Sequence, residues 1–475
     1  MKGLRGALAA RIPPALLRIS ARYLLAPRGR ARHRWTALPD ADAVRSGNLA
    51  ALRSALAQAH VAFRQVRDHG EAILVARFSG SSQGNLRSTL EGFGLTVLDL
   101  REGPDQWNLR VSSRPLGILA VDRALAARLM VTPDGAVPAL PHLLDVPVDI
   151  DVVYTWVDGN DPGWRQDHDN AVARQAGPLL HTSNDDGRFS SHDELRYSLR
   201  ALEYFAPWVR RIHLVTSGQA PGWLDRSSDR VHVVSHAEIF AEPAHLPTFN
   251  SHAIEAQLHR VPGLAEHFIY MNDDVFLGQP SSPADFFTPA GQTRFFLSDK
   301  ALRQNTDAPL PVDIAATNNR AIIEGQFGAT VWQKFKHSPH PQLRSTLERI
   351  EREHPAAVRG TAAATFRSAT DLSIPSSLAH YYGLALGTAV PSDIGYAYVD
   401  LANRDAHTRL LRLIRRGLPQ TFCINEVEAP ARPRRRRETA RMLREFLERC
   451  YPVPSSFEMP RPTPSQPAEN GSAPL

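Results

Sequence analysis

The stretch DIDVVYTWVDGNDPGW, residues 149–164, decides the architecture. Its first half is a run of β-branched and aromatic residues, the signature of a strand buried on both faces. It ends abruptly in a polar turn, DGNDPGW. Downstream, RFSSHDELRYSLRALEYFAPWV (188–209) opens on a Ser191-x-x-Glu194 capping box. It then carries Leu195, Leu199, Leu202 and Phe205 at helical spacing until Pro207 closes it. RRIHLVTSG (210–218) and RVHVVS (230–235) read as short strands, and a helix is predicted from Ser251 to about His259. HFIYM (267–271) is the next strand and runs into NDDV. Strands alternating with helices predict a mostly parallel, Rossmann-like α/β sheet flanked by helices. In such sheets ligands bind beyond the carboxyl ends of the strands, so TWVDGND, VTSGQ and NDD should line one crevice.

Working outward, NLAALRSALAQAHVAFRQVRD (48–68) has helical spacing, and EAILVARF, LTVLDL and WNLRVSS read as strands, with a polar helix at about 83–91. These make a small N-terminal α/β domain. From about Thr330 to Ala389 the text reads as helical: WQKFKHSPHP, LRSTLERIEREHP and SIPSSLAHYYGLAL. The organisation expected is a basic leader over 1–46, the small domain over 47–146 and a catalytic unit over 147–429. A basic helix over 430–452 and a disordered Pro/Ser-rich tail over 453–475 follow.

The chain has 475 residues, enough for two or three domains, and a net charge of +6. Nine Lys/Arg and no acid precede Asp40, and five Arg lie between Arg432 and Arg437, so the rest of the chain is net acidic. The leader interleaves Leu/Ile with Arg. It reads either as a peripheral contact with an anionic membrane or as a solvated basic arm, not as a secretory signal. The Arg432–Arg437 run lacks interleaved aromatics, so nucleic acid is not expected as a partner. Two Cys exclude a disulfide framework, and no run of eighteen apolar residues exists. A cytoplasmic location, at the inner face of the cell membrane if the leader docks there, is the expectation; the oligomeric state is open. No phosphate-binding Gly-x-x-x-x-Gly-Lys loop and no Gly-x-Ser-x-Gly elbow occur.

Asp273 and Asp274 are adjacent acids directly after a strand. They read either as a polar turn or as hard oxygen ligands for Mg²⁺ or Mn²⁺ bridging phosphates. Asp151 sits between Ile150 and Val152, where a charge is costly unless paired or ligating. Asp158 and Asp161 are candidates for nucleotide or metal contact, or for turn capping. Trp156 suits stacking on a base or sugar, or the core. His337 and His340 are spaced for zinc, but no nearby third ligand completes a site; a single His as general base is the alternative. Arg367 suits bidentate phosphate binding.

These strings resemble the Stealth family of sugar-phosphate transferases, which includes bacterial capsule and exopolysaccharide phosphotransferases and the catalytic subunit of the lysosomal-enzyme GlcNAc-1-phosphotransferase. IDVVYTWVDGND (150–161) is similar to its first block, and 188–224 with 245–278 to its second. HSPHP (337–341) through TFRSATDLSIPSSLAHYY (365–382) is similar to the third, and FCINE (422–426) to the fourth, with Glu426 where Asp is expected. A variable stretch near 285–330, expected to supply pocket loops, interrupts the likeness. The resemblance implies that Asp151, Asp274, His337 and Arg367 are catalytic, with Asp273 beside them, which matches the reading of Asp273 and Asp274 as ligands for Mg²⁺ or Mn²⁺. It adds Glu255 in the second block, and with Asn272 and the stacking and contact candidates Trp156 and Asp158 this makes the expected set of substrate-binding residues. It implies a nucleotide-sugar donor, presumed UDP-linked, a polysaccharide or oligosaccharide acceptor, and transfer of a hexose-1-phosphate. The rival enzyme reading is a metal-dependent glycosyltransferase that releases a nucleoside diphosphate.

Overall fold

The computed structural model describes residues 39–459, apart from 69–70, 78–82, 103–106, 133–142, 176, 178, 181–188, 190, 303–309 and 427–432. The basic leader up to residue 38 and the tail from 460 therefore lie outside the described residues. Among the described residues no helix is long and apolar enough to cross a membrane.

The central sheet runs in the order His340–Leu343, His267–Asn272, Ile150–Thr155, Ile212–Thr216, Val231–Ser235. Four strands are parallel, and the edge strand His340–Leu343 pairs antiparallel with His267–Asn272. Strand alternation divides the core in two. Val152 and Tyr154 face a layer with Leu195, Leu199 and Leu214, while Val153 faces Val215, Phe268, Tyr270 and Leu378 on the other side. The register pairs Thr155 with Asn272 and with Val215, so the polar strand exits lie at one end of the sheet. A small second sheet, Val275–Leu277 with Thr421–Asn425 and Tyr396–Asp400, continues from the NDD turn.

The N-terminal unit is a five-stranded sheet with its own core, built on Leu52, Leu56, Leu74, Leu90, Leu109 and Leu129. Its first helix, Ala41–Gln58, begins earlier than expected because the Asp40 side chain caps it, accepting from the Ala43 N–H at 2.8 Å. The predicted helix through Asp68 stops at Gln58. Phe63–Asp68 instead pairs antiparallel with Glu71–Arg77, and that ladder outweighs the helical spacing. Helix Leu119–Leu125 and strand Ala127–Thr132 complete the unit.

Four further expectations need correction. The Ser191–Glu194 capping box is not formed. Asp193 stands at the helix start with φ 67°, and the Glu194 carboxylate turns back to accept the His192 N–H at 2.5 Å. WQKFKHSPHP is not helical. Gln333–Phe335 and His340–Leu343 are strands, the Lys336 N–H bonds Phe296 O across the neighbouring strand, and Pro339 and Pro341 lack helical donors. The stretch 285–330 holds a nine-residue strand, Thr293–Ala301, and a 17-residue helix, Pro311–Phe327. The chain after Tyr451 is packed, not loose, as far as Met459. Val453 and Phe457 are buried, and Arg200 grips Glu458 with bonds of 2.5 and 2.8 Å. The basic segment does form a helix, Pro433–Cys450, with Arg435–Arg437 exposed.

Candidate active site

The NDD turn sits where strand His267–Asn272 gives way to Val275–Leu277. Pairing across the second sheet sets Val275 opposite Cys423, and the Ile424 N–H donates to Asp274 O at 3.0 Å. This brings the Cys423 thiol to 3.4 Å from Asp274 Oδ2 and 3.2 Å from His337 Nδ1. His337, in the turn after Gln333–Phe335, lies 3.8 Å from the same carboxylate oxygen, too far for a direct hydrogen bond. The thiol therefore bridges the two: S–H donates to Asp274, and Nδ1–H of His337 donates to sulfur. That tautomer leaves Nε2 of His337 with its lone pair free to accept a proton.

Acids crowd this point. Burial pushes the Asp273 carboxyl well above its ordinary range, and the charges of Glu194 and Asp274 push it further. Glu194, buried at the start of its helix, is raised chiefly by burial and partly by Asp274. His192 is raised by its 3.2 Å contact with Glu426, against burial. Asp274 Oδ1 is shielded from solvent and has no hydrogen-bond partner among the described residues. The orphaned oxygen of Asp274, with Asp273 adjacent and Glu194 within electrostatic reach, offers the oxygen chemistry that suits Mg²⁺ or Mn²⁺, while the described ligand atoms that come within 4.8 Å of one another are those of Asp274, His337 and Cys423.

On the other flank Arg367 is buried. Burial lowers its guanidinium from the ordinary value, and Glu255, Asp371 and Tyr270 oppose that shift. It donates to His252 Nε2 at 2.7 Å and to Ser251 Oγ at 2.5 Å, and its Nε has no partner among the described residues. Because Nε2 of His252 accepts, Nδ1 carries the proton and donates to Asp371 Oδ2 at 3.2 Å. Asn250 and Ser368 hold that carboxylate in turn, at 2.9 and 2.7 Å. Glu255 accepts from Tyr270 at 3.2 Å and Ser376 at 3.1 Å. Burial raises its carboxyl, the charge of Arg367 is the largest influence against that, and His337 lies within electrostatic reach as well.

A pocket of about 340 Å³ adjoins the acids and shares His192 with them. Trp156, Asp158, Gln219, Trp223 and Arg444 line it. Gln219 and Asp158 exchange two 3.0 Å bonds that tie the first two strand exits together. Gly159 is required here, since a Cβ would collide with the Phe189 backbone, whose carbonyl accepts the Gly159 N–H at 3.0 Å. Asp161 caps the following helix through the Trp164 N–H at 2.8 Å.

The structure thus brings Asn272, Asp273, Asp274, His337, Glu255 and Arg367 to one end of the sheet, with Trp156 and Asp158 in the adjoining pocket. It does not bring Asp151 there. Asp151 is the second residue of its strand and lies opposite Phe268, five residues before Asp273, roughly 16 Å away along the strand. Fully buried, it binds Arg210 at 2.6 and 2.8 Å, His213 at 3.2 Å and the Ala265 N–H at 2.9 Å. The charge inside an apolar strand is explained by pairing, not by ligation. Burial alone raises this carboxyl, but the bonds from Arg210 and His213 hold it down at about 2. A depressed carboxyl contributes stability above its unfolded value, near 4, that is lost as pH falls through the folded one: about 2 kcal/mol between roughly pH 4 and 2. Asp151→Asn should cost about 3 kcal/mol in denaturant unfolding while turnover per folded molecule is kept. A loss of turnover at unchanged stability would return Asp151 to the site.

Glu194 and Cys423 are the residues the motifs did not mark. Glu194 was read as a cap, and the third partner for His337 lies 86 positions away in FCINE.

Conserved region 1 of Stealth proteins matches residues 148–174, region 2 matches 188–295, region 3 matches 336–384 and region 4 matches 412–468. An exopolysaccharide phosphotransferase of Streptomyces coelicolor is 52% identical over 322 residues, covering 67% of this chain and 54% of that protein. The exopolysaccharide phosphotransferase CpsY of Mycobacterium tuberculosis is 39% identical over 324 residues, covering 67% of this chain and 59% of that protein. The chain spans about half the length of such relatives. Among solved structures, the galactosyltransferase LgtC in complex with donor and acceptor sugar analogs is similar at a TM-score of 0.30 and 12% identity, over 63% of this chain and 95% of that one. Mouse xyloside xylosyltransferase 1 is similar at 0.28 and 11%, over 58% and 98%. With all four conserved regions present in order around one cluster of acids, a histidine and an arginine, the chain belongs to the Stealth family.

Proposed function

We propose that this chain transfers a sugar-1-phosphate from a UDP-linked nucleotide-sugar to a hydroxyl of a polysaccharide or oligosaccharide acceptor. The observation that supports this best is that His337 lies 3.8 Å from Asp274 while Glu255 is within electrostatic reach of both His337 and the buried Arg367. The nucleoside occupies the pocket, with Trp156 offering a ring for stacking and Asp158 and Gln219 offering polar contacts. Asn272 ends the strand that leads directly into Asp273 and Asp274 and is a further candidate for substrate contact. Asp273, Asp274 and Glu194 would hold a divalent metal, which when bound neutralises diphosphate charge and so lowers the barrier to displacement.

Arg367, fixed by His252 and Asp371, holds the phosphoryl group that moves, and its guanidinium stabilises the charge that shifts in the transition state. Glu255 supports the charge of the buried Arg367 guanidinium. Nε2 of His337 takes the proton of the acceptor hydroxyl. That oxygen bonds to the phosphorus next to the sugar, in line with the departing nucleoside monophosphate, whose P–O bond breaks. The product is a sugar–phosphate–sugar diester.

The test is incubation of the full chain with a panel of nucleotide-sugars, an oligosaccharide acceptor and Mg²⁺ or Mn²⁺, with the freed nucleotide weighed by mass spectrometry. A nucleoside monophosphate is expected. A nucleoside diphosphate would establish a glycosyltransferase, and no release with any donor would point to a binding protein.

A further inference from the structure

The bridge between Asp274 and His337 has a second property, set by the element it contains. Sulfur, imidazole nitrogen and carboxylate oxygen meet here, with donor atoms 3.2 Å (Sγ–Nδ1), 3.4 Å (Sγ–Oδ2) and 3.8 Å (Nδ1–Oδ2) apart. Tetrahedral zinc, with bonds of about 2.3 Å to sulfur and about 2.0–2.2 Å to nitrogen and oxygen, sets its donors roughly 3.3–3.6 Å apart. The trio is already close to that spacing with no ion present, and all three atoms lie within 4.8 Å of one another. The three side chains come from three separate segments: the NDD turn, the turn after Gln333–Phe335, and the strand Thr421–Asn425. Mg²⁺ has little affinity for a thiol, whereas a borderline-soft ion prefers this mixed set. The two oxygens of Asp274 separate accordingly. Oδ2 faces sulfur and imidazole, and Oδ1 is the orphan that suits the hard cation.

We propose that Asp274, His337 and Cys423 form a three-donor site for a zinc-like divalent cation, distinct in its donors from the oxygen-only magnesium site, and that its occupation switches the enzyme off. Binding expels the thiol proton to solvent and forms a metal–thiolate bond. The metal takes the lone pair of Nδ1, so the single imidazole proton must sit on Nε2. A histidine in that tautomer donates and cannot accept, and the acceptor hydroxyl loses its base. This inhibitory consequence rests on the transfer reading above; the site itself does not.

The test uses the chelator-stripped full chain without nucleotide, so its outcome is independent of whether transfer occurs. Co²⁺, which adopts the zinc geometry, is added and its absorption recorded. Zn²⁺ affinity is measured by competition with a chromogenic chelator. Wild type should show the thiolate-to-cobalt charge-transfer band. Cys423→Ser should abolish it, and Cys450→Ser, removing the other thiol, should retain it. Cys423→Ser and His337→Asn should each weaken Zn²⁺ by about 100-fold or more. His337 is partly exposed, which makes His337→Asn the safer variant if Cys423→Ser folds poorly. Absence of the band in wild type, its persistence in Cys423→Ser, or equal Zn²⁺ affinity in wild type and both variants would overturn the site. A zinc-loaded chain that transfers as fast as the magnesium-loaded one would overturn the switch.

Discussion

His337→Ala should lower turnover by about two to four decades while donor affinity stays within a few-fold of wild type. The magnitude is that of removing a positioned general base. The selectivity follows from the geometry. The imidazole is held by Cys423 at 3.2 Å and stands apart from the pocket at the strand exits, so truncating it leaves the nucleotide contacts in place. The surrounding fold should tolerate the change, because the side chain is about a third exposed and no hydrogen bond from it holds a secondary-structure element together. Single-turnover kinetics and equilibrium donor binding separate the two effects. Unchanged turnover would remove His337 from the mechanism. A parallel loss of affinity would make it a donor-binding residue instead.

The second large effect is metal dependence. Asp273, Asp274 and Glu194 are three acids in one partly desolvated volume, and Asp273 is raised well above its usual range by burial and by the other two. Without a cation the cluster relieves its repulsion by holding a proton. Without the cation nothing at the acids attracts an anionic diphosphate or offsets its charge. Chelation with EDTA should therefore reduce transfer by about three decades or more, since cation neutralisation of a shifting phosphoryl charge is worth several kcal/mol. Mg²⁺ or Mn²⁺ should restore it. Full activity in chelator would mean that Arg367 alone carries the phosphate charge.

Much of this arrangement is legible in the chain because parallel strands announce themselves. Val152 through Tyr154 and Phe268 through Met271 are continuous apolar runs that end in polar clusters, and in a parallel sheet those ends fall together. Asp151 shows the limit of that logic. An acid within such a run reads the same whether it reaches a ligand or a salt bridge; what decides is its place along the strand, and Asp151 stands at the entrance with Arg210 and His213. Cys423 could not be assigned because the contact that defines it spans 149 positions and depends on antiparallel pairing of Val275 with Cys423. Glu194 matched a helix cap by spacing, yet the left-handed Asp193 rotates its carboxylate toward Asp273. WQKFKHSPHP reads as helical through its Gln and Lys, but its two prolines break a helix, and Gln333–Phe335 pairs with Thr293–Ala301 while the strand from His340 pairs with His267–Asn272. The helix Pro311–Phe327 was missed because its composition is mixed and lacks a clear apolar stripe.

The account turns on where the bond breaks. With a donor labelled at the phosphorus next to the sugar, and the full chain supplied with Mg²⁺ and acceptor, the label should leave with the acceptor as a diester while unlabelled nucleoside monophosphate appears in equal amount. Label retained on a released nucleoside diphosphate, with a phosphorus-free acceptor product, would contradict it.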